Sequence, residues 1–197
     1  KTVVLQAPQF FFAQDRSLAE EAFAGDIVGI PNKGVLRIGD AVTEGEDLTF
    51  VGIPSFAPEI LRRVRLDDAI RAKKLREALR EMAEEGVVQL FNPLDGSAPL
   101  VGVIGALQLD VLGDRLTHEY GLPIGFEMAP FEAVRWPSAD DPRDLAQFID
   151  KNKSAMATDL DGDHVFLGAS EFNLRWVMER NPKIRFADIK TSTAPTA

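Results

Sequence analysis

The chain reads as an α+β protein: a partial β-barrel, then a ferredoxin-like β-α-β-β-α-β domain with an additional C-terminal α/β extension. Three observations predict this. Residues 1–53 hold only short β-rich runs broken by Gly, Pro, Asn and Asp, with no helical period of useful length. Beyond residue 54, amphipathic helical stretches alternate with short apolar runs. From Ile60 to Trp136 the order is strand, helix, two strands around a turn-rich loop, helix, strand, which is the split unit.

The elements follow in order. "KTVVL", "QFFFA", "GDIVGIP" and "GVLRIGDAVT" are the strands expected in the first 53 residues, with turns at Pro31–Gly34 and Gly39–Asp40. "SLAEEAF" is too short to count as a helix. About fifty residues rarely close a barrel alone, so the first barrel strands are expected to be missing. "GIPSFAPEI" (52–60) carries two prolines and is expected to join two domains. "EILRRVRL" is strand-like. Residues 68–85 are helical, with Ala72, Leu75, Leu79 and Met82 on one face and Lys73 and Glu77 spaced for an i,i+4 pair. Asp67 is the expected N-cap, and Gly86 closes the helix. "VVQLF" and "LVGVIG" are strands around the loop "NPLDGSAP". A second helix carries Leu109, Leu112, Leu116 and Tyr120 and stops at Gly121 and Pro123. "IGFEMAPFEAVRW" is the last strand of the unit.

The extension begins with Asp141 and Pro142, a cap and first-turn pair that opens a helix with Leu145, Phe148 and Ile149. "SAMATDL" and "HVFLGA" flank Asp161-Gly162, a hairpin signal. Ser170 caps a last helix to Arg180, with Phe172, Trp176 and Val177 expected inward. Asn181-Pro182 ends it, and "KIRFADI" reads as a final strand. The tail, within "KTSTAPTA", is expected to be disordered. No internal repeat is visible. The expected domains are therefore 1–53, 54–190 and a tail, 191–197.

Composition narrows the function. The chain has 197 residues, 45% hydrophobic and 27% charged, the balance of a soluble globular protein. No run approaches the roughly 18 apolar residues of a membrane span. The N-terminus lacks the order of a signal peptide, and no membrane partner is expected. The absence of cysteine removes disulfide and thiol chemistry and suits a cytoplasmic protein. A net charge of −9 argues against general nucleic-acid stickiness, although a local basic patch remains compatible with RNA.

The candidate motifs mostly reduce to structure. Gly102 and Gly105 stand where a strand hands over to a helix, the place of a phosphate cradle. Yet "GVIGALQLD" has neither the third glycine of a dinucleotide loop nor the Lys-Ser/Thr pair of a P-loop. A tight turn with close backbone packing is the better reading. "DLDGDH" (159–164) resembles the start of a calcium loop, but His164 and Ser170 occupy the positions that need Gly and Glu. An acidic hairpin turn is favoured there. His118 and His164 are isolated, and no nucleophile motif is present, so no catalytic, metal or cofactor-binding residue is assigned. The basic run is more informative. Between Ile60 and Arg76 seven cations (Arg62, Arg63, Arg65, Arg71, Lys73, Lys74 and Arg76) face two anions, Asp67 and Asp68. Such a run can meet phosphates, or form a charged face paired with Glu77, Glu81 and Glu84.

The segment "GALQLDVLGDRLTHEYGLP" resembles the domain III helix of translational GTPases, in which Gly-x-Leu-[His/Gln]-[Leu/Phe]-Asp leads into an amphipathic helix. Gln108 in place of His resembles the class II peptide chain release factor branch. "GDIVGIPNKGVLRIGDAVTEGE", "GIPSFAPEILRRVRL", "EEGVVQLF", "VRW" and "FNLRWVMERNPKIRF" agree with that branch, so the likeness runs along nearly the whole chain. It implies the second half of a translation-factor β-barrel domain II plus domain III of a cytoplasmic GTPase that promotes dissociation of class I release factors from the ribosome. GTP or GDP and magnesium are then expected on a G domain absent from these residues, with no cofactor here. The implied partners are small-subunit ribosomal RNA and protein, the G domain of the parent chain and, indirectly, class I release factors. Arg62, Arg63, Arg65 and Lys74 are the expected ribosome contacts. Two other readings stay open: a relative of elongation factor G or of ribosomal-protection proteins, and a small ferredoxin-like enzyme of the acylphosphatase type. The latter has "RLDDAIR" where it needs an anion-binding loop.

Overall fold

The computed structural model describes residues 4, 6–12, 15–32, 34–36, 38–46, 48 and 54–191. The chain divides into two compact units, residues 1–49 and 50–193. In the first, strands β1 (Gln9–Phe12) and β2 (Asp15–Leu18) form an antiparallel hairpin, and Gln9 bridges to Gly29. Gly29 is needed there, because a Cβ would run into the Phe11 ring. β2 replaces the start of "SLAEEAF", and "GDIVGIP" contributes only the bridge at Gly29. "GVLRIGDAVT" was expected as a strand, but its described residues form turns. Asn32 Oδ1 accepts from the N–H groups of Val35 and Leu36, and its amide donates to the Leu36 carbonyl at 2.6 Å. This side chain offers the backbone an alternative to the ladder. Most of "KTVVL" lies outside the described residues.

The second unit is built on an eight-stranded sheet. β3 (Pro54–Phe56) lies within the expected linker and pairs outside this sheet. β4 (Ile60–Arg65) leads through a 3-10 turn, Ala69–Arg71, into α1 (Ala72–Glu84). Asp67 does not cap this helix: it pairs with Arg65 at 3.2 Å, while Asp68 accepts from the Ile70 N–H. The extra turn moves the helix start past both acids. At the other end Gly86 has φ +74°, Gly86 N–H donates to Ala83 O, and Val87 N–H to Met82 O, a Schellman closure. β5 (Gln89–Pro93) and β6 (Leu100–Val103) precede α2 (Ala106–His118).

"IGFEMAPFEAVRW" divides into β7 (Gly125–Met128) and β8 (Ala133–Ser138), separated at Ala129-Pro130. Proline cannot donate to a ladder, and the two pieces lie in different parts of the sheet. The extension adds α3 (Pro142–Lys151), β9 (Met156–Thr158), β10 (His164–Gly168), α4 (Glu171–Arg180), β11 (Arg185–Ala187) and β12 (Ile189–Thr191). β12 pairs antiparallel with β3, so Thr191 is strand rather than tail; residues 192–197 lie outside the described residues.

The sheet order is β11-β8-β10-β9-β5-β6-β4-β7. Read outward from its middle, each half gives the second, third, first and fourth strand of a β-α-β-β-α-β unit. The extension is therefore a second split unit, joined to the first through β5 and β9, and the chain does contain a repeat. Sequence traces of it become visible once the topology is known. "LDG" recurs at Leu94–Gly96 and Leu160–Gly162, with both glycines at positive φ. "GALQLDVLGDR" and "SEFNLRWVMER" align, with N-caps Gly105 and Ser170, buried Leu109 with Leu174, and buried Leu112 with Val177. Arg62 and Arg135 each donate to the carbonyl of the preceding residue at 2.8 Å.

Each half packs two helices on one face. Val64, Leu79, Met82, Val101, Leu112 and Leu116 form the first core, and Phe148, Met156, Phe166, Leu174 and Val177 the second. On the helix-free face one core crosses the seam: Leu61, Phe91 and Leu100 meet Val134, Trp136, Ala157, Val165 and Leu167.

Candidate interaction surface

The structure separates the four residues expected to contact the ribosome. Strand alternation sends Arg62 and Arg63 to opposite sheet faces. Both are half-buried; Arg62 donates to Leu61 O, and Arg63 Nε has no hydrogen-bond partner. Arg65 is exposed and faces Asp67 at 3.2 Å and Glu127 at 3.5 Å. Lys74 lies on α1 and donates to Tyr120 O at 2.5 Å, beside Arg71, which donates to Gly121 O at 2.9 Å. Two of the seven cations thus tie α1 to the end of α2. Tyr120 completes the tie by donating its hydroxyl to Glu81 at 2.8 Å.

Burial, then the bond to Glu81, pushes the Tyr120 phenol up to about 12 from 10.0. An acid raised on folding stabilises fully below its unfolded pKa and loses that contribution as pH rises through the folded value. The protein is therefore expected to weaken between about pH 10 and 12, and Tyr120→Phe to weaken less. Urea midpoints at pH 9 and pH 11.5 for both proteins check this.

At the start of α2 the Gln108 side chain bonds the strand-to-helix turn. Gln108 Oε1 accepts from the N–H groups of Ile104 (2.9 Å) and Gly105 (3.1 Å), and its amide donates to Val87 O at 3.3 Å. Two backbone donors of the turn are thereby taken by a side chain of the helix itself. Gly102 serves close approach, since a Cβ there would lie 2.7 Å from Pro58 and 2.8 Å from Phe91.

The acidic turn is closed from within. Asp159, Asp161 and Asp163 could together hold a cation, and the Lys190 ammonium takes that place at 2.7, 2.8 and 2.5 Å. Asp159 also accepts from the indole N–H of Trp136 at 3.0 Å and from the backbone of Asp161 and Asp163. Burial alone would lower the Lys190 pKa. Hydrogen bonds to the three aspartates outweigh it and hold the ammonium above the ordinary lysine range. Sequence reading missed this latch, because Lys190 stands at the very end of the expected domain, about thirty residues from the acidic turn.

α4 holds a further difference. Leu174 and Val177 face the core, whereas Phe172 and Trp176, expected inward, are exposed. The Arg180 guanidinium lies 4.2 Å from the Trp176 ring centroid. Beyond it a groove of about 260 Å³ runs between α3 and the end of α4, lined by Phe148, Lys151, Arg180, Lys183 and Ile184 among others.

A helical period cannot orient a helix whose apolar residues occupy both sides, as Phe172/Trp176 and Leu174/Val177 do. The i,i+4 aromatic pair interleaved with Arg175 and Arg180 was the available signal.

The chain thus carries a short β-hairpin segment followed by a paired split-unit domain. Residues 1–45 match the family described as Elongation factor G domain 2, and residues 50–178 match Class II release factor RF3, C-terminal domain. The second match spans most of the chain, which therefore belongs to the class II release factor RF3 family. The acylphosphatase-type and elongation-factor readings give way to it, the barrel piece alone matching elongation factor G. Translation factors act on the ribosome in general. Among the described residues no helix is long and apolar enough to cross a membrane.

Proposed function

We propose that the chain supplies the ribosome-facing domains of a cytoplasmic GTPase that recycles class I release factors at translation termination. The observation that supports this best is the succession of the two matches, a domain II barrel segment followed directly by the release-factor C-terminal domain. In this reading GTP and magnesium are held by a G domain outside these residues, and the chain alone does not bind the nucleotide. No Walker motif occurs in it. Its partners are the small ribosomal subunit, through RNA and protein, and the parent G domain, with class I release factors affected indirectly.

Arg62, Arg63, Arg65 and Lys74 remain the proposed contacts. Arg65 is the most accessible of the three arginines. Co-sedimentation of the chain with small subunits tests this. Glutamate at Arg63 and Arg65 is expected to weaken binding roughly tenfold and to flatten its salt dependence. Unchanged binding with an unchanged salt slope sinks the contact assignment. A fluorescent GTP analogue is expected to show no saturable binding to the chain.

A further inference from the structure

The repeat allows the molecule to serve as its own comparison. Leu107 and Val111 on α2 occupy the positions of Phe172 and Trp176 on α4. The exposures match: 74% and 44% in the first pair, 74% and 45% in the second. Each helix therefore presents a two-residue apolar ridge to solvent, and the chemistry around the ridges differs. The α2 ridge is aliphatic and stands beside Asp110 and Asp114. The α4 ridge is aromatic and stands beside Arg175 and Arg180.

From this contrast we infer that the α4 ridge, with the groove beside it, is a binding surface for single-stranded RNA: bases stack on Phe172 and Trp176, and phosphates lie along Lys151, Arg180 and Lys183. Exposed aromatics one helical turn apart suit splayed bases, because every base has a π-face. Arg180 joins the two parts, since it stacks on Trp176 and lines the groove. The charge favours phosphate. In the groove Lys183 pairs with Asp144 at 3.0 Å and also faces Asp141, so a phosphate there competes with these carboxylates, and Glu171 beside the ridge faces Arg135 at 3.8 Å. Arg175 and Arg180 share α4 with Glu179, and Lys151 and Arg180 line the groove. In a chain of net charge −9 this local excess marks the surface out. The assignment rests on reading the chain as one that works on the ribosome, and it names a face that reading did not use.

The test is fluorescence anisotropy of the whole chain with an unstructured RNA oligonucleotide of about twelve nucleotides. Binding is expected to quench Trp176 and to fall with salt with a log–log slope of roughly −2, from three phosphate contacts on a single strand. Phe172→Ala with Trp176→Ala is expected to lose at least about tenfold in affinity, and Trp176→Phe to recover most of it. Arg180→Ala with Lys183→Ala is expected to reduce the slope by about one. Leu107→Ala with Val111→Ala should change nothing. Circular dichroism and thermal midpoints confirm that all variants fold.

Equal binding by the Phe172/Trp176 variant overturns the proposal, as does equal loss in the Leu107/Val111 variant or equal preference for duplex RNA. A dimer that the Phe172/Trp176 substitutions convert to monomer also overturns it, because a second copy then covers the ridge. Co-sedimentation separates the two readings. Subunits that bind this variant as well as the parent chain remove the ridge and leave the ribosome reading standing. A parent chain that binds the oligonucleotide but no subunits removes the ribosome reading and leaves the ridge.

Discussion

Gly102→Val is expected to lower the unfolding free energy by about 3 kcal/mol, read as a drop in urea midpoint at unchanged slope. Gly102 lies in β6 between β4, where it pairs with Leu61, and β5, where it pairs with Gln89. The strand therefore cannot slide away from an added side chain. A Cβ would meet the Pro58 ring at 2.7 and 2.9 Å and the Phe91 ring at 2.8 Å. The proline ring is rigid and Phe91 is fully buried, so neither neighbour yields easily. Gly105→Ser is the matching control. Nothing lies within 4 Å of a Cβ at Gly105, and its backbone is extended with φ −132°. Ser170, its counterpart in the second half, accepts from the Asn173 N–H. Serine at 105 is therefore expected to be neutral or to stabilise by a few tenths of a kcal/mol. A loss of stability there contradicts the equivalence of the two helix starts.

Lys190→Met is expected to cost about 2 kcal/mol. The Lys190 and Asp159 side chains are 14% and 11% exposed, so the ammonium balances a charge that water barely reaches. Asp161 and Asp163 are about half exposed, and solvent screening discounts their share. Methionine keeps the packing of the stem but leaves three carboxylates facing one another. Replacing Asp161 and Asp163 by asparagine in that background is expected to return part of the loss, and a double-mutant cycle measures the coupling. The raised lysine pKa means that this stabilisation is complete at neutral pH. It is lost only as pH climbs past the ordinary lysine range toward the folded value. A Lys190→Met protein as stable as the parent shows that β12 is held by its ladder alone.

Much of this was legible in the residues. The α1 stripe and its Gly86 closure, the Asp141-Pro142 start of α3, the Ser170 cap and the Asp161-Gly162 turn are local signals, and each appears where its chemistry places it. What escaped was set at long range. The ferredoxin-like order of the first half was readable, but the second half needed the pairing of β5 with β9 to show itself as a copy. The two halves share shape and a few anchor positions rather than a run of identical residues. β3 escaped because its partner, β12, lies beyond every other element of the unit. The expected contact residues stand in one stretch of sequence, yet strand alternation and the α1–α2 tie disperse them. Arg62 and Arg135 make the same bond to the preceding carbonyl, so charge alone did not reveal that this position has a backbone-bracing role in both halves.

The pairing of β3 with β12 sets how the second unit answers to force. Pro54 lies opposite Thr191, Ser55 opposite Lys190, and Phe56 opposite Ile189, so the two ends of the unit emerge side by side. Tension between these ends peels the short ladder open one rung at a time, beginning at Pro54 and Thr191. The eight-stranded sheet is not sheared along its length until those rungs have parted. With Lys190 anchored among its aspartates, the second rung, Ser55 opposite Lys190, is the one expected to part at the highest force.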